Sequence, residues 1–277
     1  MNEHDEKVSQ LDRELRFFPV QNDHPRYLTV EQIRFFNEKG YLTGLTAFNQ
    51  GDADRNRRDF DRILGKFTAE GKSSYAIDRY HDQFAAIYDL AKTPSIVGII
   101  TDLLGPNVVC WATHYFCKMP GDGKAVSWHQ DCSYWALTPS KTVTVWLAID
   151  DVDASNGCMR VIPGSHTYGH LKFRESDPSE HNVLTQSVDD PYRYGDSEVL
   201  IELAAGQFSI HSDLLLHGSL ANTSNRRRCG LTLRYCPVDV RTYWGWNEKG
   251  ILVSGSDPSG HWKGMPRPGG DAPHDPR

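Results

Sequence analysis

The stretch Val126-Ser127-Trp128-His129-Gln130-Asp131 carries the strongest prediction about the fold of this chain. Its first residues favour a β-strand, and side chains on a strand alternate between its two faces. His129 and Asp131 are two positions apart, so on a continuing strand they would point to the same side. An inward-facing imidazole beside a carboxylate supplies two members of the 2-His-1-carboxylate triad, which binds Fe(II) and leaves coordination positions open. The sequence therefore predicts an iron site on a β-sheet.

The regions on both sides of this stretch are also typical of short strands. From Val108 onward, apolar and β-branched runs alternate with Gly, Pro, Asn and Asp turns, which favours many short strands. Eight or so strands behind a run of helices indicate a mainly β fold with flanking α-helices. We expect a double-stranded β-helix, a cupin-like jelly roll that buries a ligand site between two sheets. The predicted strands are residues 108–118, 125–131, 142–149, 158–162, 198–203, 207–211, 214–217 and 229–236.

The first hundred residues predict helices. Thr29 with Gln32 matches a capping box, and Gly40 is a typical end for the helix that they begin. Pro94 suits the first turn of another helix. Residues 1–28 are polar, and we expect them to be irregular. Two further helices follow from apolar residues at helical spacing, over residues 60–67 and 84–90.

These patterns predict one domain over residues 1–277. It would consist of a mostly helical part, 1–105, a jelly-roll core, 106–253, and a Pro/Gly-rich tail, 254–277, at the surface or disordered. A long polar segment inside the core, at about 166–196, shows little periodicity. Because long loops in compact domains are often functional lids, we expect this segment to close over the site together with the N-terminal helices.

Composition excludes several classes of protein. The formal net charge of −6 argues against a general nucleic-acid binder. A membrane-spanning helix needs about 18 or more consecutive apolar residues, and the chain has no such run. The N-terminus is charged and lacks the apolar core of a signal peptide. We therefore expect a cytoplasmic enzyme for a small molecule, with its six cysteines as free thiols; the oligomeric state stays open.

Several segments between about residues 105 and 237 occur in an order and spacing that resemble one family. They are Lys118-Met-Pro-Gly, Trp128-His-Gln-Asp, Val145-Trp-Leu-Ala-Ile-Asp-Asp, Asn156-Gly-Cys-Met-Arg-Val-Ile-Pro-Gly-Ser-His166, and His217-Gly-Ser with Asn222 and Arg227-Arg228. The chain resembles the phytanoyl-CoA dioxygenase family of Fe(II)/2-oxoglutarate oxygenases, and in size it resembles bacterial hydroxylases of small metabolites. The first hundred residues match only in being helical.

The resemblance implies that His129, Asp131 and His217 are the iron ligands. His211 competes for the third position, but it lacks the Gly-Ser that follows the distal histidine in the family. Beside the other two ligands, a purely structural role for His217 is the weaker hypothesis. The sequence therefore favours His217 as the third ligand.

The far carboxylate of 2-oxoglutarate needs a fixed bidentate partner, and the planar guanidinium of arginine suits it. Arg226, Arg227 and Arg228 are all candidates. Family spacing favours Arg228, and so does its position on one strand face with Gly230, Thr232 and Arg234. The resemblance also implies that Ser219 donates to this carboxylate and that Lys118 and Trp146 line the co-substrate pocket, although both also suit structural roles.

The implied reaction is hydroxylation of a C–H bond in a small polar metabolite, coupled to decarboxylation of 2-oxoglutarate to succinate and CO2. Desaturation, cyclisation or epoxidation would use the same cofactors. Two other classes stay open: a non-catalytic cupin-like binding protein, which would lack part of this residue set, and a zinc hydrolase, which would need a general base and no 2-oxoglutarate.

The primary substrate is the least determined part of the prediction. Tyr134 and Trp135 follow the iron motif and are candidates for the substrate pocket, although both also suit a core. His211 and Arg241 are candidates to present donors or positive charge to an anionic substrate, together with Arg79, His81 and His114. Aromatic residues would instead suit a quaternary ammonium group through cation–π contacts. The sequence does not decide between an anion and an ammonium ion.

Overall fold

The structure is a computed structural model that describes residues 3–270 of the chain. Its helices are α1 (Glu3–Ser9), α2 (Val30–Lys39), α3 (Gln50–Ala69), α4 (Ala85–Ala91) and α5 (Pro94–Leu104). Its strands are β1 (Tyr41–Thr46), β2 (Val108–Lys118), β3 (Val126–His129), β4 (Leu137–Thr138), β5 (Val143–Ala148), β6 (Met159–Val161), β7 (Arg174–Glu175), β8 (Gln186–Ser187), β9 (Val199–Ile201), β10 (Gln207–Ser212), β11 (His217–Ser219), β12 (Arg228–Pro237), β13 (Arg241–Thr242) and β14 (Ile251–Ser254).

The helix ends follow the capping signals in the sequence. Thr29 accepts a hydrogen bond from the backbone N–H of Gln32, and the Gln32 side chain accepts one from the backbone of Thr29. Gly40 ends α2 in the left-handed conformation, with φ of 82°, which glycine adopts without steric cost. Pro94 occupies the first turn of α5, where its missing N–H leaves no partner unsatisfied.

Six strands form the larger sheet, in the order β1-β10-β5-β12-β2-β14 with antiparallel neighbours. Alternation along these strands gives the sheet two different faces. One face packs against α2 to α5 through a large apolar cluster that includes Tyr115, Leu147, Leu231 and Leu233. The other face is formed by the residues that alternate with these along each strand. One of them is Trp146, which faces the second sheet.

The smaller sheet has the order β3-β11-β6-β9. Residues of both sheets, such as Met159 from the smaller and Trp146 from the larger, line one cavity between them. Two sheets enclosing a site, with helices outside, confirm the predicted double-stranded β-helix with flanking helices.

Four details differ from the sequence expectations. The N-terminal region is not wholly irregular, because Glu3–Ser9 forms α1. The predicted strand at 214–217 begins only at His217, and Leu214 to Leu216 form a buried turn before it. The edge strands β1 and β14 were not predicted. Helices α2 to α5 cover the outer face of the larger sheet, so the expectation that the N-terminal helices close over the site is wrong for them.

The Pro/Gly-rich tail is partly folded onto the body of the protein. Trp262 is buried in a cluster with Val109, Trp111 and Val240, and Arg267 forms an ion pair of 2.7 Å with Asp89. Apart from Trp262, residues 255–270 are exposed or half-buried, so this part of the tail lies at the surface, and residues 271–277 lie outside the described part of the chain. Within the described residues, every helix is too short or too polar to cross a bilayer.

Candidate metal centre and adjoining cavities

Two histidines and one aspartate converge between the sheets. Asp131 Oδ1 lies 3.8 Å from His129 Nε2 and 3.9 Å from His217 Nε2. The potential ligand atoms of the three residues all lie within 4.8 Å of one another, and all three side chains are buried. This spacing suits donor atoms arranged around one metal ion at coordination distances of about 2.0–2.2 Å.

The local backbone places these side chains in an unexpected way. His129 is the last residue of β3, and Asp131 begins a 3₁₀ turn over Asp131–Ser133. The expectation that both lie on one strand is therefore wrong: the turn, and not strand alternation, directs Asp131 inward. His217 begins β11 and is the cross-strand partner of His129, which brings the two imidazoles together with ring centroids 4.1 Å apart.

Hydrogen bonds orient each member of the cluster. His129 Nδ1 lies 2.8 Å from the Ser127 carbonyl, and His217 Nδ1 lies 2.9 Å from the Leu215 carbonyl. Because a carbonyl can only accept, each Nδ1 carries the proton and each Nε2 keeps a lone pair directed at the centre. The Thr144 hydroxyl donates to Asp131 Oδ2 at 2.9 Å, which fixes the carboxylate.

Burial and neighbouring charge set the protonation states. Burial lowers the pKa of His129 and His217, and for His217 the nearby His129 and His211 lower it further. Burial alone would raise the pKa of Asp131, but the adjacent His211 and the positive charge of Arg234 lower it. Two neutral imidazoles and a carboxylate therefore meet at neutral pH, which is the donor set that a divalent metal requires.

His211 lies beside this cluster on β10, in the opposite sheet. Its Nε2 is 3.5 Å from Asp131 Oδ2, whereas His129 and His217 approach Oδ1, and its ring centroid lies 4.4 Å from that of His217. The ring is buried, and neither of its nitrogens has a hydrogen-bond partner of good geometry. The ligand cluster found within the described residues contains His217 and not His211.

Three adjacent arginines differ sharply in their surroundings. Arg226 forms an ion pair with Asp153, and Arg227 forms one of 2.8 Å with Asp150. Arg228 is 3% exposed, its guanidinium lies 4.8 Å from the Trp146 ring, and its Nε has no hydrogen-bond partner. Within residues 3–270, Arg228 has no carboxylate partner, so it is a buried cation without an anion.

Two further donors lie near Arg228. Lys118 is its cross-strand partner, is fully buried, and donates to the Leu220 carbonyl. Burial, with a smaller effect from the charge of Arg228, lowers the pKa of Lys118 to about 7. The Ser219 hydroxyl is buried and has no hydrogen-bond partner within the described residues. Trp146 lies flat across Gly230, where a Cβ would come within 2.1 Å of the indole ring.

Two cavities meet at the candidate metal centre. An inner cavity of about 50 Å³ is bounded by His129, Asp131, His217, Trp146, Ser219 and Arg228, among others. An outer cavity of about 380 Å³ lies on the other side. Phe116, His129, Asp131 and Arg234 line both cavities. A co-substrate and a substrate can therefore approach the same centre from different directions.

The predicted substrate residues divide between these cavities and the surface. Tyr134 and Trp135 line the outer cavity and His211 lines the inner one. Arg241 is exposed on β13, where it donates to the Val238 carbonyl, and it lines neither cavity. The sequence-based role for Arg241 is therefore not supported by its position. Val183 and Leu184, from the predicted lid segment, form part of the outer wall.

Sequence reasoning missed three residues that shape the site. Thr144 anchors Asp131. Gln130 donates to the Gly169 and Leu214 carbonyls and accepts from the Leu171 N–H, which ties the metal motif to the start of the lid segment. Arg234 borders both cavities. The sequence did contain a signal for Arg234: it lies an even number of positions from Arg228 on β12, so both side chains lie on the same face of the strand.

Comparison with known proteins identifies similar chains. Residues 36–230 match the family model described as phytanoyl-CoA dioxygenase (PhyH). The chain is 26% identical over 250 residues to the peroxisomal phytanoyl-CoA dioxygenase of Bos taurus, covering 80% of this chain and 74% of that protein. It is 27% identical over 248 residues to a probable alpha-ketoglutarate-dependent hypophosphite dioxygenase of Stutzerimonas stutzeri, covering 82% and 86%. Among solved structures, the apo form of the non-heme monooxygenase ThoJ superposes with a TM-score of 0.73 at 26% identity, covering 86% and 88%.

Proposed function

This chain belongs to the phytanoyl-CoA dioxygenase family, and we propose that it hydroxylates a C–H bond of a small polar metabolite. The family confirms the predicted enzyme class, an oxidoreductase that uses Fe(II), 2-oxoglutarate and O2. The relatives act on small molecules. We propose the hydroxylation and the residue roles given below. We also propose a single-domain organisation, a lid at 166–196 and a cytoplasmic location.

We propose that His129, Asp131 and His217 hold the iron. Two neutral imidazoles with lone pairs on Nε2, and one ionised carboxylate, match the donor set that non-haem Fe(II) oxygenases use. When bound, such an iron centre supplies the activation of O2 that is coupled to decarboxylation of 2-oxoglutarate. The chain's own part is to fix the ligands: two carbonyls set the histidine tautomers, and Thr144 holds the carboxylate.

The observation that carries the proposal is the unpartnered guanidinium of Arg228 beside the unpartnered hydroxyl of Ser219. Burying a cation without an anion is costly, so a bound anion is the simplest reason for both groups to be kept. The donor set suits a dicarboxylate such as 2-oxoglutarate, because its distal carboxylate would neutralise Arg228 and accept from Ser219. Lys118 does not line this cavity, but as the cross-strand partner of Arg228 it adds a second positive group behind the cavity wall when it is protonated.

The residues around these donors exclude water from the same cavity. Trp146 lies over the Arg228 guanidinium and against Gly230, so it covers one side of the cavity. Phe116, Val126 and Met159 add apolar walls. In such surroundings the contact between arginine and carboxylate is stronger than in water, and a reactive centre is shielded from side reactions.

An anaerobic titration followed by visible absorption tests the proposal. Metal-free protein receives Fe(II), then 2-oxoglutarate, and we expect a weak charge-transfer band when the keto acid chelates the metal. A panel of small metabolites then identifies compounds that change the shape of this band, and mass spectrometry of turnover mixtures identifies a product heavier by one oxygen atom. If no band forms, the residue roles are wrong; if the product lacks the added oxygen, the reaction is another oxidation.

A further inference from the structure

The outer cavity holds a second arginine whose charge is not neutralised. We propose that this arginine, Arg234, binds an oxyanion group of the substrate, a carboxylate or a phosphonate, while the rest of the substrate lies against a tryptophan wall. This inference rests on the function proposed above and specifies the chemical class of the substrate.

Arg234 is placed to reach both the substrate and the metal centre. It lies on β12 with the same parity as Arg228, so both side chains leave the sheet on the face toward the site. Arg234 lines the outer cavity together with His129 and Asp131. Its Nε is buried and has no hydrogen-bond partner, and within residues 3–270 it has no carboxylate partner. Since partly buried arginines normally pair with an acid, the missing acid points to a ligand.

Two tryptophan rings lie next to the guanidinium. The Arg234 guanidinium carbon lies 5.0 Å from the centroid of the Trp135 ring and 5.9 Å from that of Trp111. These two indoles are themselves packed edge to face, with centroids 4.9 Å apart. Contacts between an indole ring and the face of a guanidinium leave its N–H edges available for a planar or tetrahedral oxyanion.

The remaining charges near the outer cavity do not compensate Arg234. Asp78 is already engaged, at 3.3 Å from Arg79 Nε and 3.8 Å from His114 Nδ1. Asp131 belongs to the candidate metal centre. One guanidinium therefore remains in excess, which favours an anionic substrate over a neutral one.

The same arrangement argues against a quaternary ammonium substrate. A cation–π site needs an accessible indole face, but Arg234 lies near Trp111 and Trp135, and Arg79 lies 5.7 Å from the Trp246 ring. A second cation would be repelled by both guanidinium groups. The volume of about 380 Å³ lies within the usual range for small-molecule sites, roughly 300–1,000 Å³, and the indole walls suit an apolar or planar body attached to the oxyanion.

A matched set of probes tests the inference by binding and not by turnover. The anaerobic protein is loaded with Fe(II) and saturating 2-oxoglutarate, so that the co-substrate site is filled. Phenylacetate, phenylphosphonate, the neutral phenylacetamide and benzyltrimethylammonium are then titrated by calorimetry. We expect the wild type to bind at least one of the two anions about tenfold or more tightly than the amide, and the preferred anion distinguishes carboxylate from phosphonate.

Three variants assign this preference to a residue. In Arg234→Gln we expect the preference for the anion to fall below about threefold, while the 2-oxoglutarate charge-transfer band is retained. Arg234→Lys keeps the charge without the planar fork, so we expect an intermediate preference. Arg241→Gln removes an exposed arginine that lines neither cavity and should retain the wild-type preference.

The outcomes separate this inference from the function proposed above. Equal or undetectable binding of anions and amide by the wild type, or tightest binding of the ammonium probe, overturns the role of Arg234. Weaker 2-oxoglutarate binding in Arg234→Gln, with the anion preference intact, would instead place Arg234 in the co-substrate site and also overturns it. Absence of the charge-transfer band in the wild type is the separate result that contradicts the residue roles in the proposed function.

Discussion

The two faces of the larger sheet are built by the same strands but have opposite chemical character. On the face toward the helices, Tyr115, Leu231 and Leu233 are fully buried in an apolar cluster. On the face toward the site, β12 presents Arg228, Thr232 and Arg234, which alternate with the apolar residues along the strand. Alternation along a strand thus lets one segment support the core with one set of side chains and the chemistry with the other.

The two faces also differ in how completely their polar groups are satisfied. The site face carries buried groups without hydrogen-bond partners, among them Ser209 Oγ, Arg228 Nε, Arg234 Nε and both His211 nitrogens. The apolar face needs no such partners. Unpaired buried polar groups destabilise a fold. We therefore expect the site face to lower the free energy of unfolding and the packed helix face to raise it. Mutations on the two faces should therefore have separable effects.

The largest expected effect is loss of activity from the candidate metal centre. Asp131→Ala removes the one carboxylate of the cluster, and we expect 2-oxoglutarate-dependent turnover to fall at least about 10³-fold, more than the 10–100-fold typical for an outer-shell partner. Metal content and succinate production measure this. His211→Ala, which removes the other buried histidine beside Asp131, should still bind one equivalent of Fe(II). Retained turnover in Asp131→Ala would contradict the triad.

The apolar face should respond in stability and not in chemistry. Leu231 is fully buried in the cluster beneath the helices, so Leu231→Ala should lower the free energy of unfolding by about 2–5 kcal/mol. Denaturant unfolding measures this change, and the affinity of the remaining folded protein for 2-oxoglutarate should be unchanged. A volume-conserving Leu231→Met control should cost less than about 1.5 kcal/mol. A large loss of 2-oxoglutarate affinity would show that the two faces are not independent.

The sequence predicted the elements whose local pattern decides their structure. Thr29 and Gln32 placed the start of α2, and β-rich runs bounded by turn residues placed β2 and β12 within a residue or so. The strand prediction failed at Leu214 to Leu216, because a buried turn can be as apolar in sequence as a buried strand. It also missed β1, where Gly44 has φ of 70° and the register shifts between Leu42 and Leu45, so the period of two is interrupted.

Within the site, the sequence identified residues that carry a motif and missed those defined by tertiary neighbours. His129 and Asp131 were proposed as ligands from their spacing and His217 from the family resemblance, and the three side chains do converge. Arg234 was not proposed for the substrate. Its proposed role depends on its contacts with tryptophans distant in sequence and on the lack of an acidic partner, and neither is visible in the sequence. Arg241 was proposed from its charge alone, and charge does not reveal which face of the protein a side chain occupies.

A smaller effect separates two adjacent arginines at the start of β12. Arg228 faces the site without an acidic partner within the described residues, whereas Arg227 pairs with Asp150 on the outer side. Arg228→Lys loses the bidentate fork, so we expect the KM for 2-oxoglutarate to rise about tenfold. Arg227→Lys should leave that KM within about twofold. Steady-state kinetics with varied 2-oxoglutarate distinguish them, and the reverse ranking would reassign the co-substrate contact to Arg227.

The smallest effect concerns the pH dependence of stability and comes from Lys118. In the metal-free protein, burial beside Arg228 lowers the Lys118 pKa to about 7, whereas an unfolded lysine has a pKa of about 10.4. Between these values the unfolded chain binds about one more proton than the folded chain, so the free energy of unfolding rises with pH in this window. The slope should approach about 1.4 kcal/mol per pH unit above pH 7 and vanish below it. Lys118→Met should lose this slope.

Denaturant unfolding of both proteins from pH 6 to pH 9 measures the difference, with Lys92→Met as a control because Lys92 is exposed whereas Lys118 is fully buried. Parallel pH profiles for wild type and Lys118→Met would mean that Lys118 keeps its proton when buried. A steeper rise of the free energy of unfolding with pH in the wild type would show that the buried charge of Lys118 destabilises the fold when no anion is bound. In that case 2-oxoglutarate, which supplies the anion, should bind with uptake of a proton at pH 8 and should flatten the slope.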